Sequence, residues 1–343
     1  MDERRNRDWL IATGLGLTLA CGLWAYGRQR RRATRSFSRQ IVAITGGSRG
    51  LGLEMARLWA VEGAKVAICA RTRSDLERAA RELTAIGHDV LAIKCDITDR
   101  QQAEKFISHV VKAWGGIDVL VNNAGLIQAG PLECMTLDDF DRTMATHFWG
   151  PLYLIRAALP HLHASRAGRI VNIASIGGEV SVPHLVPYSA SKFALVGLSD
   201  GLAAELHASD IRVTTVCPGL MRTGSPRNAW FKGRHRAEYA WFSISDSLPG
   251  ISISSRRAAR QIIEACRRGK PYLRVSLPAR LGVPLRAIAP GLISTLLGWV
   301  SRFLPAADGT TLSHAGRDSY SKWSPSWLTR LTERAARRNN EIG

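Results

Sequence analysis

The segment Ile41-Val42-Ala43-Ile44-Thr45-Gly46-Gly47-Ser48-Arg49-Gly50-Leu51-Gly52 limits the possible folds more than any other stretch of the chain. Ile41 to Thr45 form an unbroken apolar and β-branched run, the pattern of a strand buried on both faces of a parallel sheet. A glycine-rich turn follows, and then a helical pattern to Glu62. This order sets a helix N-terminus against the end of a buried strand. Free backbone N–H groups and the positive end of the helix dipole then face one point, where an anion is welcome. The spacing is G-x-x-x-G-x-G. Its glycines let the backbone turn tightly and approach a pyrophosphate.

The same alternation recurs. Strands are predicted at Lys65 to Ala70, Val90 to Lys94, Val119 to Val121 and Arg169 to Ala174, with helical stretches between them. That is the signature of an α/β fold with a doubly wound parallel sheet. With 343 residues, 45% of them hydrophobic, the chain can bury a large core.

The end of the second strand bears on the ligand. An acid there would hold the ribose hydroxyls of NAD(H). Here Ala70 is followed by Arg71 and Arg73, and Arg49 lies in the glycine turn. Cations suit a 2′-phosphate, so NADP(H) is the preferred cofactor, with NAD(H) possible.

Further on, Ser175 follows the strand ending at Ala174. Tyr188 and Lys192 stand four apart in a helical stretch and so share one face. A phenol titrates near 10 and is a poor acid at neutral pH; a lysine cation beside it is expected to lower that value. The phenol could then give a proton to a carbonyl oxygen, or take one from an alcohol, while hydride moves to or from a nicotinamide. The Ser175 hydroxyl would hold the reacting oxygen.

Taken together these residues resemble the short-chain dehydrogenase/reductase family. The match comprises Thr45 to Gly52, Asp96, Asn122-Asn123-Ala124-Gly125, Ser175, Tyr188, Lys192, and Pro218-Gly219 with Thr223, over about Gln40 to Ser276. The resemblance implies a Rossmann fold with Tyr188 as acid/base. Lys192 would bind the nicotinamide ribose and Ser175 would position the carbonyl. It also implies that Gly46, Ser48, Arg49, Gly50, Leu51, Gly52, Arg71, Asp96, Asn123, Ala124, Gly125, Pro218, Gly219 and Thr223 line the cofactor, with Asp96 at the adenine, Asn123 bracing its strand and Thr223 at the carboxamide. A homo-oligomer is expected on the same ground. One position departs from the pattern: His147 stands where the family usually has an asparagine that holds a relay water. It is taken as a fourth catalytic candidate, with packing as the competing reading.

Trp9 to Gly27 is uncharged, mostly apolar and 19 residues long. As a helix it would span roughly 28 Å, against a hydrocarbon core of about 30 Å. Arg28, Arg30, Arg31, Arg32, Arg35 and Arg39 follow at once, which by the positive-inside rule places the catalytic bulk in the cytoplasm. A single-pass anchor in membrane lipid is therefore expected, in preference to a cleaved signal peptide.

The division expected is 1–39 anchor and basic linker, 40–276 catalytic domain and 277–343 helical extension. The formal net charge is +19. Much of it adjoins the apolar run and no nucleic-acid motif accompanies it, so no nucleic-acid partner is expected. A second basic group, Arg222, Arg227, Lys232, Arg234 and Arg236, is either a patch or a set of solvated side chains. Six scattered cysteines lack metal-site spacing, and no metal is expected.

Trp230, Phe231, Tyr239, Trp241 and Phe242 suggest a hydrophobic small-molecule substrate, membrane contact or ordinary core. An amphipathic helix over Leu292, Ile293, Leu296, Leu297, Trp299, Val300, Phe303 and Leu304 is expected most simply to pack on the domain. A membrane interface, a cleft cover or a dimer contact are its other readings. The last thirty residues carry a short helical pattern from Ser326 to Arg338 and receive no function. The leading expectation is an NADPH-dependent reductase of a hydrophobic carbonyl compound. The rivals are oxidation of a lipid- or steroid-like alcohol and a non-catalytic nucleotide-binding scaffold.

Overall fold

A computed structural model describes residues 36–342 apart from 87, 88 and 166. The expected anchor lies outside the described residues. Among those described, no helix is long and apolar enough to cross a membrane.

The strands form as the apolar runs require: β1 (Ile41–Thr45), β2 (Lys65–Ala70), β3 (Val90–Lys94), β4 (Val119–Asn122), β5 (Arg169–Ile173), β6 (Arg212–Cys217) and β7 (Tyr272–Arg274). They make one seven-stranded sheet in the order β7-β6-β5-β4-β1-β2-β3, every pair parallel. Strand order reverses between β1 and β4, and at such a switch point the carboxyl ends of the strands leave an open crevice.

Helices cover both faces. On one side α1 (Gly50–Val61), α2 (Arg73–Ala85) and α8 (Ser255–Arg268) bury Trp59, Leu76, Leu83 and Ile262 against β1 and β2. Phe37 meets Trp59 edge to face at 5.9 Å. On the other side α3 (Arg100–Trp114) and α5 (Gly150–Ala164) bury Phe106, Ile107, Leu154 and Leu162, and α6 (Val186–Glu205) packs beside them. Helix α4 (Leu137–Met144) runs through a π-helical turn, Ala145–Trp149, directly into α5.

The aromatic segment after Gly219 divides in two. Phe231 and Tyr239 are fully buried in a small core of their own, together with Phe242 from helix α7 (His235–Ser247). Trp241 and Phe242 also line the cleft described below. Two members of the second basic group are taken singly: Lys232 is buried on Asp139 at 2.6 Å, and Arg227 pairs with Glu333 at 2.8 Å, while Arg234 and Arg236 are exposed.

The extension from residue 277 behaves as two unlike parts. Its first part, α9 (Leu277–Ile288) and α10 (Pro290–Ser301), forms a helical hairpin. The expectation that its amphipathic helix packs on the domain is not met, for α10 buries no residue. Its later part is woven back into the domain. His314–Ala315 pairs antiparallel with Trp230–Phe231, which in turn pairs parallel with Gln128–Ala129. Helix α11 (Arg330–Arg338) then leads the chain back to the glycine turn.

Candidate active site

A cleft of about 360 Å³ opens at the carboxyl ends of the strands, and every residue expected in the site except Gly52 lines it. Gly52 acts one layer behind. A Cβ there would lie 2.2 Å from the Gly46 carbonyl oxygen, so only glycine lets the first turn of α1 close on the loop. Gly46 has φ +63°, and a Cβ on it would meet the Ala124 backbone at 2.9 Å. Asn123 locks the same turn from β4: its side-chain amide donates to Thr45 O at 2.9 Å and Gly46 O at 3.2 Å. The Asp96 carboxylate is held by Thr98 N at 3.0 Å and Thr98 Oγ1 at 2.8 Å.

At the adenosine end the two arginines differ. Arg71 is exposed at the cleft. Arg49 lies 3.7 Å from Asp75, an acid of the cleft wall that the local sequence pattern did not single out. Arg78 also holds Asp75, at 2.5 Å. Two cations on one carboxylate, with Arg71 beside them, leave this corner net positive.

Ser175 follows β5 and accepts a hydrogen bond from Gly177 N at 3.0 Å. Its hydroxyl and the Tyr188 phenol line the same cleft. The expectation that lysine lowers the tyrosine is corrected by the geometry. Lys192 donates from Nζ to Ile173 O at 2.8 Å and sits 5.8 Å from the Tyr188 ring centroid. Desolvation outweighs any help from it: burial pushes the phenol up to about 12 and the ammonium down to about 7. Tyr188 is a neutral phenol across the physiological range, which is the form that donates a proton.

His147 sits in the π-helical turn and is fully buried. Its Nε2 accepts from Leu126 N at 3.1 Å, which places the ring proton on Nδ1. Nδ1 then donates to Ser191 Oγ at 2.8 Å, and Ser191 donates to Tyr188 O at 2.8 Å. Burial, with Lys192 nearby, holds the ring well below its usual range, so it is neutral. It meets the Tyr188 ring edge to face at 5.4 Å. Both nitrogens are engaged.

Sequence reasoning missed two further carboxyl groups. Asp246 of α7 is buried in the cleft wall and held well above its usual range by burial and by Glu341. Glu341 arrives with the chain end. Asn339 O accepts from Gly50 N at 2.9 Å, Asn340 donates to Ser48 O at 2.8 Å, and Glu341 accepts from Gly224 N. Glu341 Oε1 lies only 3.2 Å from where a Gly50 Cβ would be. Glu341 thus places its carboxyl group at the N-terminus of α1, where phosphate oxygens are expected. No local motif announces this contact, since Asn340 lies 292 positions from Ser48.

Replacing Glu341 by alanine is expected to tighten dinucleotide binding a few-fold, because its side chain occupies the space beside Gly50 that the phosphates need. The pH dependence follows from its proton. Burial raises Glu341 from 4.5 to about 7 in the docked tail. Docking is therefore strongest below the free value and weakens as pH rises through about 7, which eases the competition. Lys192 loses its charge over the same range with the opposite effect, so the wild-type minus Glu341→Ala difference isolates the tail. Isothermal titration with NADPH across this window reads it; weaker binding in the variant would mean that the tail supports the dinucleotide.

The short chain dehydrogenase family profile matches residues 40–231. A Bos taurus protein named Dehydrogenase/reductase SDR family member 7B is 32% identical over 304 residues, covering 85% of this chain and 92% of that one. A Streptomyces violaceoruber protein named Granaticin polyketide synthase putative ketoacyl reductase 1 is 36% identical over 188 residues, 54% of this chain and 69% of that one. A short chain dehydrogenase/reductase from Burkholderia phymatum, solved in complex with NAD, superposes with a TM-score of 0.68 at 24% identity over 76% of this chain and 96% of that one. The last likeness concerns the fold alone.

Proposed function

The chain belongs to the short-chain dehydrogenase/reductase family and is an NAD(P)-dependent oxidoreductase, and from that premise we propose that it uses NADPH to reduce a carbonyl group of a hydrophobic substrate. The observation that carries this reading is that Ser175 and Tyr188, the phenol neutral, line one cleft with Trp241 and Phe242. When bound, the dinucleotide supplies the hydride.

The chain's own residues do the rest. Ser175 Oγ holds the substrate carbonyl oxygen and Tyr188 gives that oxygen its proton as charge develops. Lys192, tethered to Ile173 O, is the proton reserve behind it. His147 positions rather than transfers: a relay water could bond it only by displacing Leu126 N or Ser191. Arg49 and Arg71 receive the 2′-phosphate, and Gly46, Gly50 and Gly52 let the pyrophosphate approach. Residues 9–27 anchor the chain in a membrane with the catalytic domain on the cytoplasmic side, and the protein acts as a homo-oligomer.

NADPH and NADH titrated in parallel against the full chain test the cofactor reading, with Arg49→Ala and Arg71→Ala as probes. NADPH is expected to bind at least tenfold more tightly, and the double variant to lose most of that margin. Equal or tighter NADH binding would overturn the assignment.

A further inference from the structure

The α9–α10 hairpin carries an apolar stripe with nothing over it. Leu277, Leu281, Leu285 and Ile288 line one face of α9, and Leu292, Leu296, Trp299 and Phe303 continue the same four-and-three spacing along α10 and its end. These eight are all exposed, Phe303 by 86% and Ile288 by 83%. Isolated exposed leucines need no explanation, but a contiguous helical stripe of this length marks an interaction site.

Charge says what covers it. Between Glu264 and Asp308 the chain has no acid, while Arg280, Arg286 and Arg302 punctuate the hairpin. Arg302 lies over the Trp299 ring at 5.0 Å, a cation and an amphipathic ring side by side. A two-fold contact between copies of this chain would bring each set of arginines toward a surface bearing cations alone. An anionic bilayer offers acyl chains to the leucines and a phosphate to Arg302.

We propose that the α9–α10 hairpin lies in the interface of an anionic lipid bilayer, with the leucine stripe down and Arg302 at headgroup level. Its base is fixed to the catalytic domain through the turn after Ser175. Arg286 donates to Glu179 O at 2.6 Å, and Arg274 grips the Glu179 carboxylate at 2.6 and 3.1 Å. The lipid-facing helices thus hang from the segment that positions the carbonyl-binding serine. This contact stands apart from the anchor over residues 9–27, since it needs no span.

The test is an environment-sensitive fluorophore on Leu296→Cys in the full chain, with Cys21 replaced by serine; the described native cysteines are all buried. A label on Leu312→Cys, exposed beyond the hairpin, is the reference. In vesicles of phosphatidylcholine with phosphatidylserine, the label at 296 is expected to brighten several-fold, shift to the blue and be quenched by acyl-chain nitroxides. The label at 312 is expected to stay aqueous. Leu292→Glu with Phe303→Glu should abolish the response at 296. A chain that pellets with vesicles while its 296 label stays aqueous would overturn the proposal and leave the anchor standing. Brightening without acyl-chain quenching would overturn it in favour of a contact between copies.

Discussion

Replacing Tyr188 by phenylalanine is expected to lower turnover by about a thousandfold, within the range of about 10²–10⁴ that positioned acid–base catalysis supplies. The substitution is a clean one here. The ring stays, still braced edge-on by His147 at 5.4 Å, and the α6 backbone stays bonded through Ser191. What goes is the hydroxyl, whose proton burial holds up to about 12. Dinucleotide affinity should therefore change little while kcat collapses. Steady-state rates with NADPH and a hydrophobic ketone, set beside NADPH titration of the same variant, read the two effects separately. A variant that keeps a tenth of its turnover would remove Tyr188 from the chemistry and sink the proposed reaction. Loss of binding as well would make the residue part of the fold's support instead.

The largest effect on stability is expected at Lys232. Its ammonium is buried and donates to Asp139 Oδ2 at 2.6 Å. Asp139 is buried too, and the same oxygen caps α4 by accepting from Thr136 N at 2.8 Å and Thr136 Oγ1 at 3.1 Å. Lys232→Met fills the volume but strands a carboxylate without its cation. Breaking a buried pair on one side costs about 3–5 kcal/mol, against about 0.5 kcal/mol for ordinary surface changes. Urea denaturation of the variant should show the loss as a lower midpoint with an unchanged slope. Adding Asp139→Asn should recover most of it, because the uncompensated charge is then gone. If the single variant proves as stable as the wild type, the pair contributes nothing to stability.

The sequence was most informative where a local pattern had a local cause. Ile41–Thr45 and Lys65–Ala70 are strands at those bounds, because runs buried on both faces suit a parallel sheet, and Val90–Lys94 is a strand at its bounds as the half-buried edge. The glycine turn, Asp96, Asn123, Ser175, Tyr188 and Lys192 come together because strand ends in such a sheet converge on one side. Three things were illegible. The proton of Tyr188 depends on desolvation, which spacing along a helix does not report. The role of His147 depends on Leu126 and Ser191, whose bonds to it require the π-helical turn. The Glu341 contact depends on a return of the chain across the whole domain, signalled by nothing in Asn339-Asn340-Glu341 itself.

That return has a consequence in time. Asn340 is made 292 residues after Ser48. At the usual ribosomal pace of about 5–20 residues per second, the delay is roughly 15–60 s. Strands β1 to β6 have all left the ribosome well before then, so the nascent cradle around Gly50 is assembled while its own capping carboxylate does not yet exist. The first anion to reach that helix end is one dissolved in the surrounding solution.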